Sequence, residues 1–120
     1  MNLLIVGINP SQGNPKRVSG TIKRLNRWVD YFNAQHFSFT NIIHTPGPYK
    51  SDMIDYNILN SFTEGYDKVI ALGGFVSKTL NTAGIEHFMM PHPSPLNRQL
   101  NDKEFEMNKL KECKEWLKSS

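Results

Sequence analysis

The chain has 120 residues, enough for one domain around one modest core, and no Pro/Gly/Ser-rich linker divides it. Hydrophobic residues make up 38% and charged residues 21%, a globular composition that excludes a disordered or fibrous chain. No apolar run reaches the length of a membrane span, the start lacks the basic flank and cleavage site of a signal peptide, and the single cysteine, Cys113, excludes an internal disulfide and a cysteine-cluster metal site. These features predict a cytoplasmic domain. The net charge of +3 is unevenly placed: residues 1–50 carry six basic side chains against Asp30 alone, net +5, and residues 51–120 carry eight against ten acidic ones, net −2. A basic half can face a polyanion or can be a solvated helix face.

In chain order, the aliphatic run Leu3-Leu4-Ile5-Val6 ends abruptly at Gly7-Ile8-Asn9-Pro10-Ser11. Such a run, closed by a glycine, predicts a strand over 1–8 buried on both faces of a parallel sheet. Its last residues reach the carboxyl edge of the sheet, where ligands of open α/β proteins bind, so Asn9 is delivered to a candidate site. Gly7 permits a tight turn or a close approach, Pro10 stiffens the turn, and Ser11 offers a hydroxyl to a helix cap or a phosphate. A purely structural turn uses the same residue types.

A Gly/Asn/Pro-rich loop over 12–16 leads to a helix predicted from about Val18 to Ala34. Ile22, Leu25, Trp28 or Val29, and Phe32 recur at three-to-four spacing, so Trp28 and Phe32 read as core and the cations face away. Phe37 to Ile43 alternates and reads as a second strand, stopped by Thr45-Pro46-Gly47-Pro48, with Asn41 and His44 near its outgoing end. Ser51 or Asp52 is the expected cap of a second helix carrying Met53, Ile54, Ile58, Leu59 and Phe62, and ended by Gly65. Lys68 to Leu72 repeats the opening pattern, a buried strand running into Gly73-Gly74, and a short helix follows from about Phe75 to Thr82. Ile85 to Met90 reads as a fourth strand leading into Pro91-His92-Pro93-Ser94-Pro95-Leu96-Asn97-Arg98, and about Asp102 to Lys118 as a final helix with Phe105, Leu110, Cys113 and Leu117 on its apolar side. The alternation predicts a single three-layer α/β/α domain with a mostly parallel, four-stranded sheet.

Three strand ends therefore converge on one edge, carrying Asn9, Asn41 and His92. Flanking prolines restrict the backbone around His92. Gly73-Gly74 ahead of a helix can hold a phosphate at the helix amino end, although neither a dinucleotide fingerprint nor a Walker pattern is complete.

Gly7-Ile8-Asn9-Pro10-Ser11 together with His92-Pro93-Ser94-Pro95-Leu96-Asn97-Arg98 resembles the two signature motifs of the uracil-DNA glycosylase superfamily. The first is similar to that of the mismatch-specific and single-strand-selective branches, which have asparagine where others have aspartate. The second resembles that of the aspartate-bearing and single-strand-selective branches. Phe39-Thr40-Asn41-Ile42-Ile43 resembles the strand whose asparagine reads the flipped pyrimidine, and 69–80 the superfamily's strand, glycine and Lys-containing helix, so the resemblance spans about Leu3 to Arg98.

The resemblance implies a DNA glycosylase acting on uracil or a modified pyrimidine, without cofactor or metal, monomeric, in the DNA-containing compartment of its cell. It implies Asn9 and His92 as catalytic groups and Gly7, Ile8 and Asn41 at the base. It further implies Ser11, Gly73, Gly74, Ser94 and Arg98 along the DNA backbone, and Leu96 as the apolar wedge that fills the vacated stack; Lys16 and Arg17, from the basic half of the chain, are expected to bind DNA with them. The family places an aromatic residue soon after the first motif, whereas here the next aromatic is Trp28, inside a predicted helix. Two other classes remain open: a non-catalytic nucleic-acid-binding module on the same fold, and an α/β enzyme acting on free nucleotides or nucleosides.

Overall fold

The computed structural model describes residues 2–9 and 20–119. Four strands, β1 (Leu3–Gly7), β2 (Phe37–Asn41), β3 (Lys68–Leu72) and β4 (Phe88–Met90), form one sheet in the order β2-β1-β3-β4, with every neighbouring pair parallel. Between and after them run α1 (Gly20–Phe32), α2 (Tyr56–Thr63), α3 (Gly74–Thr82) and α4 (Lys103–Lys118). This is the expected α/β architecture, with the sheet all parallel rather than mostly so.

β1 is central and all five of its residues are buried, because alternate side chains meet two different layers. Leu3 and Ile5 join Ile70, Leu72 and Met90 under Leu25, Trp28, Val29 and Phe32 of α1 and Leu110, Cys113 and Leu117 of α4. Leu4 and Val6 join Val69 and Ala71 under Leu59 of α2 and Val76 and Leu80 of α3. The periodic face read from the sequence thus packs as core, including Trp28, whose Nε1–H donates to Glu106 Oε2 at 3.0 Å. Ile22 is the exception on that face, being exposed. Burial pushes the Cys113 thiol up to about 12, so it packs as a small hydrophobe rather than as a reactive thiolate.

The starts of α2 and β4 lie furthest from expectation, and β2 stops at Asn41 rather than Ile43. Ser51–Met53 forms a separate 3-10 turn, and extended Ile54 separates it from α2, whose cap is Asp55: its carboxylate accepts from the amides of Asn57 and Ile58. One carboxylate satisfying two orphan N–H groups fixes the start better than Ser51 or Asp52 could from inside another turn. Gly65, at a φ of 84°, follows the last turn of α2, where a side chain would be strained. β4 is shorter than Ile85 to Met90, because the Ile85 amide closes α3 on Leu80 O and the His87 ring is held by Ser77 Oγ and Ile85 O. Asp102, where the last helix was expected to begin, is the cap of α4: its carboxylate accepts from the amides of Glu104 and Phe105.

Candidate active site at the carboxyl edge of the sheet

The parallel order brings the ends of β2, β1 and β3 side by side, with β4 next to β3. Gly7 lies opposite Asn41 in register, and pairing continues past the strands through Ile42 N to Gly7 O and Ile43 N to Ile8 O. Ile8 is half-buried, and its carbonyl serves this pairing.

Asn9, the second residue beyond β1, is held by the loop that follows β2. Its Nδ2 donates to Thr45 O at 3.1 Å and to Gly47 O at 2.7 Å. Two carbonyl acceptors use both amide N–H groups and fix which end of the amide is nitrogen, so Oδ1 is left as the presented acceptor. Gly47 itself sits at a φ of 95°, which a side chain would strain.

Asn41 is half-buried at the end of β2, and its amide has no hydrogen-bond partner among the described residues. A side chain on Gly7 would put its first carbon 2.8 Å from Asn41 Oδ1, so the bare glycine is what allows this amide to reach over β1. His44 turns elsewhere: it is exposed and meets Phe62 edge-on at 6.3 Å.

His92 follows β4 and is half-buried. The Ser94 amide donates to its Nδ1 at 3.1 Å, which puts the proton of the neutral ring on Nε2. Burial holds the imidazole pKa below its ordinary value, so the neutral form prevails at neutral pH. The loop around it is internally tied. Asn97 Nδ2 donates to His92 O at 2.8 Å, Asn97 N to Ser94 O, and Leu96 N to Ser94 Oγ at 3.1 Å. A first side-chain carbon on Gly73 would touch His92 Cβ at 3.5 Å, so the end of β3 runs beside the histidine.

Gly73, at a φ of 92°, spends its amide on Met90 O at 2.8 Å, which removes it as a phosphate donor. The amides left without an intrahelical partner at this helix start are those of Gly74, Phe75 and Val76, since the first intrahelical bond is Ser77 N to Gly73 O. Leu96 is 90% exposed at the tip of its loop. Arg98 is exposed and opens a short 3-10 turn. Ser11, Lys16 and Arg17 lie outside the described residues. Of the helix cations, Lys23 and Arg27 are exposed, whereas Arg24 Nε stands 3.2 Å from Glu106 Oε2 as an ion pair without hydrogen-bond alignment.

A hollow of about 880 Å³ opens at the opposite, amino-terminal edge, lined by Tyr66, Lys68, Ile85 and Trp116 among others, and holds none of these residues. The site is therefore located by where donors and acceptors converge and not by the size of a depression. What the sequence did not reveal are the Thr45 and Gly47 carbonyls, which are backbone atoms brought in by folding. The only hint was the Pro46-Gly47-Pro48 turn. Among the described residues, no group of three His, Cys, Asp or Glu side chains is placed to hold a metal ion, and no helix is long and apolar enough to cross a membrane.

No curated protein matches this sequence. The model of one protein family does, described as the uracil DNA glycosylase superfamily, over residues 1–118. That match covers nearly the whole chain, both motif loops and every strand between them, and the chain belongs to the uracil DNA glycosylase superfamily.

Proposed function

We propose that this protein hydrolyses the N-glycosidic bond of uracil or a modified pyrimidine in DNA. Membership of the superfamily supports a glycosylase-like action on DNA. The observation that carries the finer reading is the His92 ring, neutral and with its proton on Nε2, on the same sheet edge as Asn9, whose amide nitrogen is fully engaged.

The base leaves the stack and enters the site. As the C1′–N1 bond lengthens, its electron pair departs with the pyrimidine, leaving positive charge on the sugar and negative charge on the base. His92 Nε2–H donates to the pyrimidine carbonyl oxygen where that charge accumulates, a stabilisation of about 2.7–4 kcal/mol for one donor. A neutral donor suits this task, since it need not surrender its proton.

Asn9 Oδ1 accepts a hydrogen bond from the attacking water and turns its carbonyl dipole toward the sugar. It takes up no proton. The proton of the added water passes to solvent once the C1′–O bond has formed, and the expelled pyrimidine anion takes a proton from solvent. Asn41 reads the pyrimidine edge with one donor and one acceptor, and Gly7 and Ile8 supply the backbone floor.

The flanking strand phosphates meet the Gly74–Val76 amides at the amino end of α3 and the Ser94 hydroxyl. Leu96 fills the vacated stack, and Arg98, Lys16 and Arg17 face the backbone. The chain acts as a monomer.

The test is base release from single- and double-stranded oligonucleotides carrying uracil, mismatched thymine or 5-substituted uracils. Release that EDTA leaves intact and that Asn9→Ala and His92→Ala each lower by about 10²-fold or more is the expected result. DNA binding without release from any substrate would leave a binding module on the same fold.

A further inference from the structure

The edge-reading and water-positioning groups above leave the flat face of the base uncovered. A flipped pyrimidine is held by hydrogen bonds at its edge and by stacking on its face, and an aromatic side chain is the usual platform. Residues 8–19, between β1 and α1 in the sequence, contain no aromatic side chain, so none of them can provide one. Trp28 and Phe32 of α1 are buried in the core.

Phe39 is different. It lies on β2 two residues before Asn41, so both side chains stand on the same face of the sheet, the face shared with Ile5 and Gly7 across the register. β2 is an edge strand, and Phe39 is 43% exposed although strand alternation on this face buries Leu3 and Ile5 completely. Its ring leans toward the site. A first side-chain carbon on Gly7 would lie 3.0 Å from Phe39 Cζ and 2.8 Å from Asn41 Oδ1, so ring edge and amide oxygen converge on one point above the bare glycine. The partly exposed ring is thus held beside an amide that has no hydrogen-bond partner among the described residues.

We infer that Phe39 is the base-binding platform of this site, stacking on the face of the pyrimidine whose edge Asn41 reads. The inference rests on the glycosylase reading for its substrate but not for its geometry. Strand β2 then carries both halves of base recognition at fixed spacing, face at Phe39 and edge at Asn41, on a rigid element instead of a loop. Tyr49, exposed in the loop after β2, is occupied with Phe75 at a centroid distance of 4.9 Å, and the side chains nearest the bare Gly7 are Asn41 and Phe39.

The experiment compares wild type with Phe39→Ala, Phe39→Leu, Phe39→Tyr and Phe39→Trp. On a uracil-containing oligonucleotide, Phe39→Ala and Phe39→Leu should each lose about 10- to 100-fold in kcat/KM, the range of one base–aromatic stack. Phe39→Tyr should stay within about threefold of wild type, since the ring is kept, and all should melt with wild type because the side chain is exposed. Phe39→Leu as active as wild type, or Phe39→Ala without loss, would overturn the platform while leaving the glycosylase reading intact. If wild type releases no base, that reading fails separately. The tryptophan of Phe39→Trp still decides the platform: emission quenched by the uracil-containing strand, beyond quenching by the same strand with thymine and beyond the signal of Trp28 and Trp116, supports it. The absence of that difference overturns it.

Discussion

The side-chain nitrogen of Asn9 lies 2.7 Å from the carbonyl oxygen of Gly47, with Thr45 O as its second acceptor at 3.1 Å. A loop from the neighbouring strand thus decides that position 9 carries an amide. A carboxylate there would oppose two carbonyl oxygens and favour its protonated form. In Asn9→Asp the folded-state pKa therefore rises above the unfolded value of about 3.9. The protonated acid can still donate to one carbonyl, so stability is kept below that value and lost as pH climbs through the raised one. The expected outcome is a variant that melts closer to wild type at pH 4 than at pH 8. Equal deficits at the two pH values would show that the carbonyls do not select the amide.

His92 titrates the other way. Its folded pKa is held below the ordinary 6.5 by burial, so the stability it confers is complete above 6.5 and is lost as pH falls through the lowered value. Protonation would also put a proton on Nδ1, facing the Ser94 N–H that now donates to it. Base release should be flat across neutral pH and fall only on the acid side of 6.5, and His92→Ala should remove that limb along with about 10²-fold of the rate. A rate that rises on acidification through 6.5 would mean that the imidazolium is the working form.

Leu96 is 90% exposed, with its amide tied to Ser94 Oγ, so the loop is shaped by the hydrogen bonds of Ser94 and Asn97 and not by the leucine side chain. A buried leucine truncated to alanine costs about 2–5 kcal/mol. Leu96→Ala should cost almost none of that, and should slow reaction on duplex DNA more than on single strands, where less stacking must be broken. Equal slowing on both, measured by single-turnover release, would remove the wedge.

Arg24 and Lys23 are neighbours in sequence with different fates. Arg24 is engaged with Glu106, which also accepts from Trp28, while Lys23 is exposed. Reversing Lys16, Arg17 and Lys23 should flatten the dependence of log affinity on log salt by about 0.9 for each phosphate that is no longer neutralised. Arg24→Ala should leave that slope nearly unchanged and instead lower stability by about 1 kcal/mol, near the upper end for an ion pair that is not fully buried. A slope moved by Arg24→Ala as much as by Lys23→Ala would assign Arg24 to the DNA surface.

What the sequence determined by itself was the alternation of strands and helices and the sheet edge that gathers the candidate site residues. Short hydrophobic runs such as Leu3 to Val6 and Val69 to Leu72, each closed by glycine, suit buried strands, and parallel pairing then sends Asn9, Asn41 and His92 to one side. The paired motifs also marked the family that the match over residues 1–118 bears out. Tertiary structure decided what periodicity cannot encode, the partners of each side chain. The Thr45 and Gly47 carbonyls that orient Asn9 come from backbone 36 and 38 residues away, and no side-chain pattern announces a carbonyl. The His92 tautomer depends on one amide brought back by a proline-bounded turn. Arg24 and Lys23 look alike in a string of letters, and only the packing of α4 against α1 pairs one and leaves the other in water.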